Sequence, residues 1–266
     1  MVNLNSIRKT MYDVQFTRWK HLLNIKSPYS LLKSFYYIES ASLFLFLSQK
    51  IIKSPNFITF LYILTGLSGA FLINVTDEFW FYIGVFLIFT KGTFDWADGP
   101  LARRLNKTSF LGYALDTYGA HVIDAFFRVS FLFYTLTYYP KLLFLIPLIS
   151  FIILITKFNI YSGFLYHSKL NSTSKNIKKK ENLINDRNIE YKEENKGLRN
   201  LYYNYVAFLD ARARSIDFLL AILIFDRITD HNFSILLLVL SMLIVLRSLV
   251  ILFGGFYLAF NEFNKI

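Results

Sequence analysis

Between Phe94 and Asp124 runs the stretch FDWADGPLARRLNKTSFLGYALDTYGAHVID. It holds four aspartates, Asp95, Asp98, Asp116 and Asp124, while the flanking chain is almost wholly apolar. Asp95 and Asp98 are three residues apart and share one face of a helix. Gly99 follows at once, and a residue without Cβ lets a ligand come close to the backbone. Asp116 lies on the next apolar segment, four residues before Ala120. If two helix ends face each other, Asp95, Asp98 and Asp116 surround one point, where they repel unless a cation sits between them. An all-oxygen donor set suits Mg²⁺ or Mn²⁺. Two such ions can clamp a pyrophosphate and stabilise the attacking and leaving oxygens. The plainer reading is that these acids cap helices or pair with Arg103 and Arg104. That reading does not account for three carboxylates at this spacing together with Gly99, Ala102, Arg103 and Gly112.

The elements that carry these residues are membrane elements. The chain has 266 residues, 55% of them hydrophobic, including 29 Phe and 18 Tyr, and a mean hydropathy of +0.40. That composition belongs to the membrane class. The absence of cysteine excludes disulfides, thiolate catalysis and cysteine-based metal sites. The net charge of +11 points to anionic lipid surfaces and not to nucleic acid. The N-terminal stretch MVNLNSIRKTMYDVQFTRWKHLL has no apolar core of the kind a signal peptide needs. Six apolar segments, 57–74, 79–94, 109–137, 141–161, 215–229 and 233–260, are expected to cross the membrane as helices. Asp116, His121, Asp124 and Arg128 interrupt the third and must face the bundle interior.

Basic residues set the orientation. Residues 1–54 carry eight Lys/Arg against Asp13 and Glu39, and residues 157–214 carry twelve against six acids. The loops at 75–78, 138–141 and 226–232 are poor in them. Both termini and the 95–116 carboxylates are therefore expected toward the cytoplasm. Residues 29–53 read as an interfacial amphipathic helix, or as an ordinary packed one. Residues 168–200 are polar and lysine-rich and read as a cytoplasmic loop, with binding of anionic headgroups as a functional option. The expected architecture is an all-α integral membrane protein, a six-helix bundle (54–260) behind an N-terminal interfacial segment (1–53). The richness in Lys, Asn, Ile, Phe and Tyr suits a microbial, AT-rich genome, hence an inner or cell membrane.

The carboxylate stretch resembles the signature of the CDP-alcohol phosphotransferase (phosphatidyltransferase) family, D-x2-D-G-x2-A-R-x8-G-x3-D-x3-D. Asp95, Asp98, Gly99, Ala102, Arg103, Gly112 and Asp116 stand at seven of its eight fixed positions, and Ala120 stands at the last. Pro55, Asn56 and Thr59 resemble the family's Pro-Asn-x-x-Thr start of its first transmembrane helix. The resemblance covers about residues 30–260, and it too implies six transmembrane helices with an interfacial helix before them. It implies transfer of a substituted phosphoryl group from a CDP-alcohol, such as CDP-diacylglycerol, to a hydroxyl acceptor with release of CMP. It implies two Mg²⁺ or Mn²⁺ ions on Asp95, Asp98 and Asp116, and a CDP site formed by Asp98, Gly99, Ala102, Arg103 and Gly112. Membrane lipids and a homodimeric partner are implied as well.

Ala120 departs from the pattern at the family's general base. His121 and Asp124 are the nearby substitutes, one residue and about one turn further along the helix. Each has a plainer role: Asp124 can pair with Arg128 at i,i+4 within the membrane, and His121 can be a satisfied buried histidine. Arg212 and Arg214 are candidates for an anionic acceptor, or simple positive-inside anchors. The expected activity is a membrane transferase. The alternative is a catalytically impaired or inactive CDP-alcohol-binding protein. A small transporter using the acids as an ion path does not explain Gly99, Ala102, Arg103 and Gly112.

Overall fold

The computed structural model describes residues 3–13, 28–156 and 212–263. Among them the chain is all-helical: α1 (Leu4–Asp13), α2 (Pro28–Ser48), α3 (Pro55–Leu72), α4 (Glu78–Arg104), α5 (Phe110–Thr137), α6 (Pro140–Thr156, opening with a 3₁₀ stretch to Leu145), α7 (Arg212–Ile228) and α8 (Ser234–Phe263). The 168–200 loop lies outside the described residues. The chain divides into two compact units, 1–130 and 131–266.

Local chemistry sets the helix ends in the first unit. α3 starts with Pro55 at its first position, where the missing N–H costs nothing and φ is already helical. The Asp77 carboxylate accepts the Trp80 N–H at 3.2 Å and caps α4. Arg103 and Arg104 occupy the last turn of α4, where cations complement the helix dipole. α4 ends with Asn106 at φ 53, its N–H bonded to the Arg103 carbonyl at 3.2 Å and that of Lys107 to the Ala102 carbonyl at 2.8 Å. That left-handed cap satisfies the last carbonyls and turns the chain sharply. Ser109 Oγ then accepts the Gly112 N–H at 3.0 Å and opens α5.

Small residues bring the helices together. A Cβ at Gly69 of α3 would stand 2.9 Å from the Gly84 carbonyl of α4, and one at Gly66 would stand 2.6 Å from Ile123 of α5. Such close approach is the usual means of helix association in lipid. α2 lies on α4: Tyr37 donates to the Phe89 carbonyl at 2.9 Å, and Ser40 and Thr93 share a 2.9 Å hydrogen bond. α1, which the sequence reading did not anticipate, packs on α2. Its Ile7 and Met11 enter a buried cluster with Ile38, Ala41, Leu45, Ile58, Ala97 and Leu101. Arg8 bridges to Glu39 at 2.6 Å, which also accepts from Tyr12 at 3.0 Å.

In the second unit, fully buried Asp226 accepts from Tyr134 at 2.9 Å, Tyr138 at 3.1 Å and the Phe233 N–H at 3.1 Å. His231 Nδ1 stands 3.1 Å from the same carboxylate. These donors satisfy an acid that its burial would otherwise leave without partners.

Over the described residues, each expected span falls on a helix. Two of them, Pro55–Leu72 and Ser234–Phe253, are long and apolar enough to cross a membrane, and Pro140–Thr156 is an apolar helix of shorter length. Large apolar side chains on α3 and α4 face outward, Phe71 at 66% and Phe86 at 63% exposure. α4 runs ten residues past the expected end of its span at 94. The first half of the signature is therefore the continuation of α4.

Candidate active site

The first unit contains a cleft of about 370 Å³. Its α4 wall carries Asp98, Gly99, Ala102 and Arg103, and its α5 wall carries Gly112, Tyr113 and Asp116. Pro55, Asn56 and Thr59 of α3 close it, with Lys107, Thr108 and Ser109 from the turn between α4 and α5. Six signature residues, distant in sequence, thus meet in one cleft. Asp98 and Ala102 on α4, and Gly112 and Asp116 on α5, reach it in pairs because helical spacing aligns positions three to four apart.

Thr59 Oγ1 donates to Asp98 Oδ2 at 2.8 Å. Asp98 is only 8% exposed. Burial pushes its carboxyl up to about 7, and the nearby charge of Asp95 adds to this. The Thr59 hydroxyl, the Gly99 N–H and the Arg103 guanidinium act in the opposite sense. The two glycines shape the space. A Cβ at Gly99 would stand 3.3 Å from Arg103 Nη1, and one at Gly112 would stand 3.2 Å from both Asn56 Oδ1 and Ser109 Oγ. Arg103 therefore folds over Gly99, and a side chain at Gly112 would enter the cleft between the α3 and α5 walls. The ammonium of Lys107 donates to the Lys53 carbonyl at 3.2 Å, so a second cation stands at the cleft.

Asp95 is half-buried on α4, a turn from Asp98 and close enough for its charge to act on it; it does not line the cleft. Among the described residues, no three of Asp, Glu and His stand close enough together to hold an ion. The donor chemistry nonetheless fits a hard cation: Asp98 and Asp116 are carboxylates on one cleft wall or the other, and Asp98 is a buried acid whose charge burial and Asp95 oppose.

Neither His121 nor Asp124 lines the cleft. Asp124 is fully buried and bound by Arg128, whose Nε donates to it at 3.0 Å. Ala120 and His121 are half-buried on α5. Arg212 and Arg214 begin α7, and their side chains lie outside the described residues. Sequence reasoning did not assign Asn56, Thr59, Lys107, Ser109 or Tyr113 to the site. The Pro-Asn-x-x-Thr motif held the signal for the first two, and the Ser109 cap three residues before Gly112 held another.

The model of the CDP-alcohol phosphatidyltransferase family matches residues 52–180. This stretch is similar to that family, and it contains all of the cleft residues. No curated protein matches the chain, and no solved structure does. That similarity supports a phosphotransferase role in general; proteins of the family are membrane-associated, act on a CDP-alcohol donor and a hydroxyl acceptor, and generally depend on a divalent metal.

Proposed function

We propose that this chain is an integral-membrane CDP-alcohol phosphotransferase that moves a phosphatidyl-type group from a donor such as CDP-diacylglycerol to a hydroxyl acceptor, releasing CMP. The convergence of Asp98, Gly99, Ala102, Arg103, Gly112 and Asp116 on one cleft carries this reading. The acceptor oxygen forms a bond to the phosphorus bearing the donor's alcohol, the bond from that phosphorus to the CMP oxygen breaks, and the acceptor proton leaves to a base or to water. Asp95, Asp98 and Asp116 would hold the divalent ions, Mg²⁺ or Mn²⁺ and two by the resemblance, whose charge would offset that of the donor pyrophosphate. Arg103 offers a planar, multidentate partner to the diphosphate. Gly99 and Gly112 leave room for the nucleotide. Fixed charges in a cleft that excludes water account for most of the rate in such chemistry.

Six spans with the cleft toward the cytoplasm, an interfacial α2, a microbial inner or cell membrane and a homodimer complete the proposal. Arg212 and Arg214 are its acceptor-side residues. The base is His121, Asp124 acting only if it leaves Arg128, or an acceptor that needs none.

Incubating purified protein with Mg²⁺, CDP-diacylglycerol and a panel of hydroxyl acceptors, with mass spectrometry of lipids and nucleotides, tests this. CMP release and a new phosphodiester are expected, both lost in Asp98→Asn and Asp116→Asn. One observation favours a second reading: Ala120 supplies no carboxylate and neither neighbouring substitute lines the cleft. Donor binding without CMP release from any acceptor would establish a binding protein instead.

A further inference from the structure

The connection from α2 to α3 and the turn from α4 to α5 lie at one level of the first unit. Arg104 Nη2 donates to Gln49 Oε1 at 3.4 Å, and Lys107 Nζ donates to the Lys53 carbonyl at 3.2 Å. A Cβ at Gly112 would stand 3.2 Å from Asn56 Oδ1. These contacts gather the end of α2, the start of α3, the end of α4 and the start of α5. The cleft reaches the surface here, since Arg103, Lys107, Thr108 and Ser109 line it and are exposed.

Two kinds of side chain make up this rim. Lys50, Lys53 and Arg104 are exposed and do not line the cleft, while Arg103 and Lys107 add charge at its edge. The sequence holds no Asp or Glu from 40 to 76 or from 99 to 115. Neither connection, nor the helix ends beside it, therefore supplies an acid to cancel these charges. Large apolar side chains stand among them and face outward: Leu47, Ile51 at 84% exposure, Phe110 and Leu111. Apolar groups beside long basic ones suit the headgroup level of a bilayer. The apolar groups enter the acyl boundary, and the flexible stems of Lys and Arg carry their charge to the phosphates. A leaflet rich in anionic lipid attracts such a cluster.

Resting on the membrane placement in the transferase reading, we propose that this rim is a docking surface for anionic phospholipid headgroups, held by Lys50, Lys53 and Arg104. The two cross-links, Arg104 to Gln49 and Lys107 to Lys53, join the docked residues to the turn that lines the cleft. A headgroup bound there fixes the edge of the cleft at the level of the lipid phosphates. Plain positive-inside anchoring sets only which way the chain faces; docking also requires that the chain prefer anionic to zwitterionic lipid.

The test offers phosphatidylglycerol and phosphatidylcholine in equal amounts to the purified full-length chain in detergent and counts the bound lipids by native mass spectrometry. CMP release from CDP-diacylglycerol is measured on the same preparation. The parent is expected to retain phosphatidylglycerol in preference to phosphatidylcholine. The triple variant Lys50→Gln, Lys53→Gln, Arg104→Gln should lose that preference by about tenfold or more, since each basic residue near an anionic surface strengthens association about fivefold. Equal retention of the two lipids by the parent, or a preference that survives in the folded variant, overturns the proposal. If the variant does not fold, the parent decides at raised ionic strength: attraction to headgroups is screened by salt, so a preference that salt leaves unchanged also overturns it. CMP release without a lipid preference sinks the docking surface and leaves the transferase reading standing, and a lipid preference without CMP release does the reverse.

Discussion

Thr59 Oγ1 donates a 2.8 Å hydrogen bond to Asp98 Oδ2, joining residues 39 positions apart in a buried contact. The Pro-Asn-x-x-Thr start of α3 is thereby tied to the second signature aspartate on α4. Hydrogen bonds to charged groups are worth about 1.5–3 kcal/mol, so the hydroxyl sets how readily Asp98 carries its charge. Thr59→Val keeps the shape and removes the donor. It should lower kcat/KM by about tenfold or more and raise the Mg²⁺ concentration needed for half-maximal activity, as steady-state kinetics over a Mg²⁺ series would report.

The Asp98 carboxyl is pushed up to about 7 by burial, with Asp95 adding to the effect. An acid with a raised value is protonated below it, so a cation must displace a proton as pH falls through that point. Mn²⁺ affinity should therefore drop on going from about pH 8 to about pH 6, with proton release on binding at the lower pH. Calorimetry in buffers of different ionisation enthalpy measures that proton. Binding that is flat with pH would mean that Asp98 is not a ligand.

Glycines in the cleft and in the packing should behave differently. Gly99→Ala pushes on the flexible end of Arg103, and Gly112→Ala projects toward Asn56 and Ser109. Both should raise KM for the CDP-alcohol while leaving Tm near that of the parent. Gly66→Ala meets Ile123 at 2.6 Å and should lower Tm, since overpacking typically costs about 1–3 kcal/mol. Thermal unfolding and donor KM measured on all three variants separate the two classes.

Asp124 and Arg128 form a buried pair at 3.0 Å. Asp124→Asn leaves the guanidinium without its counter-charge, a change that typically costs about 3–5 kcal/mol. The expected result is a marked fall in Tm, with kcat per folded molecule little changed. Normal Tm with a hundredfold loss of kcat would make Asp124 the base. Ala120→Asp is expected to raise kcat, because a carboxylate one turn from Asp116 can take the acceptor proton, an effect worth about 10²–10⁴-fold.

The cysteine-free chain allows clean topology labelling. Exposed Lys50 and Thr76 flank α3. Lys50→Cys should react with an impermeant maleimide only from the cytoplasmic side, and Thr76→Cys only from the opposite side. Labelling of both from one side would remove α3 as a span and with it the six-span proposal.

Much of the site was legible in the sequence because its determinants are local. The spacing of Asp95, Asp98, Gly99, Ala102 and Arg103 fixes a helix face whatever surrounds it, and apolar length alone located the helices. Loop charge sets an expected orientation by the same kind of local count. Contacts between helices are not written in any one segment. That Thr59 donates to Asp98, that Asp124 is held by Arg128 and not open to the cleft, and that Lys107 and Ser109 close the site depend on how α3, α4 and α5 meet. So does the nearness of Lys91 on α4 to the Tyr62 ring on α3: read alone, Lys91 is one charge in an apolar run. α1 was missed because ten mixed residues carry too weak a pattern, and only Ile38, Ala41 and Ala97 from distant segments give Ile7 and Met11 an apolar surface to bury against. Local spacing determined which side chains share a helix face; the close approach that small residues such as Gly66, Gly69 and Gly84 permit between helices decided which of them meet.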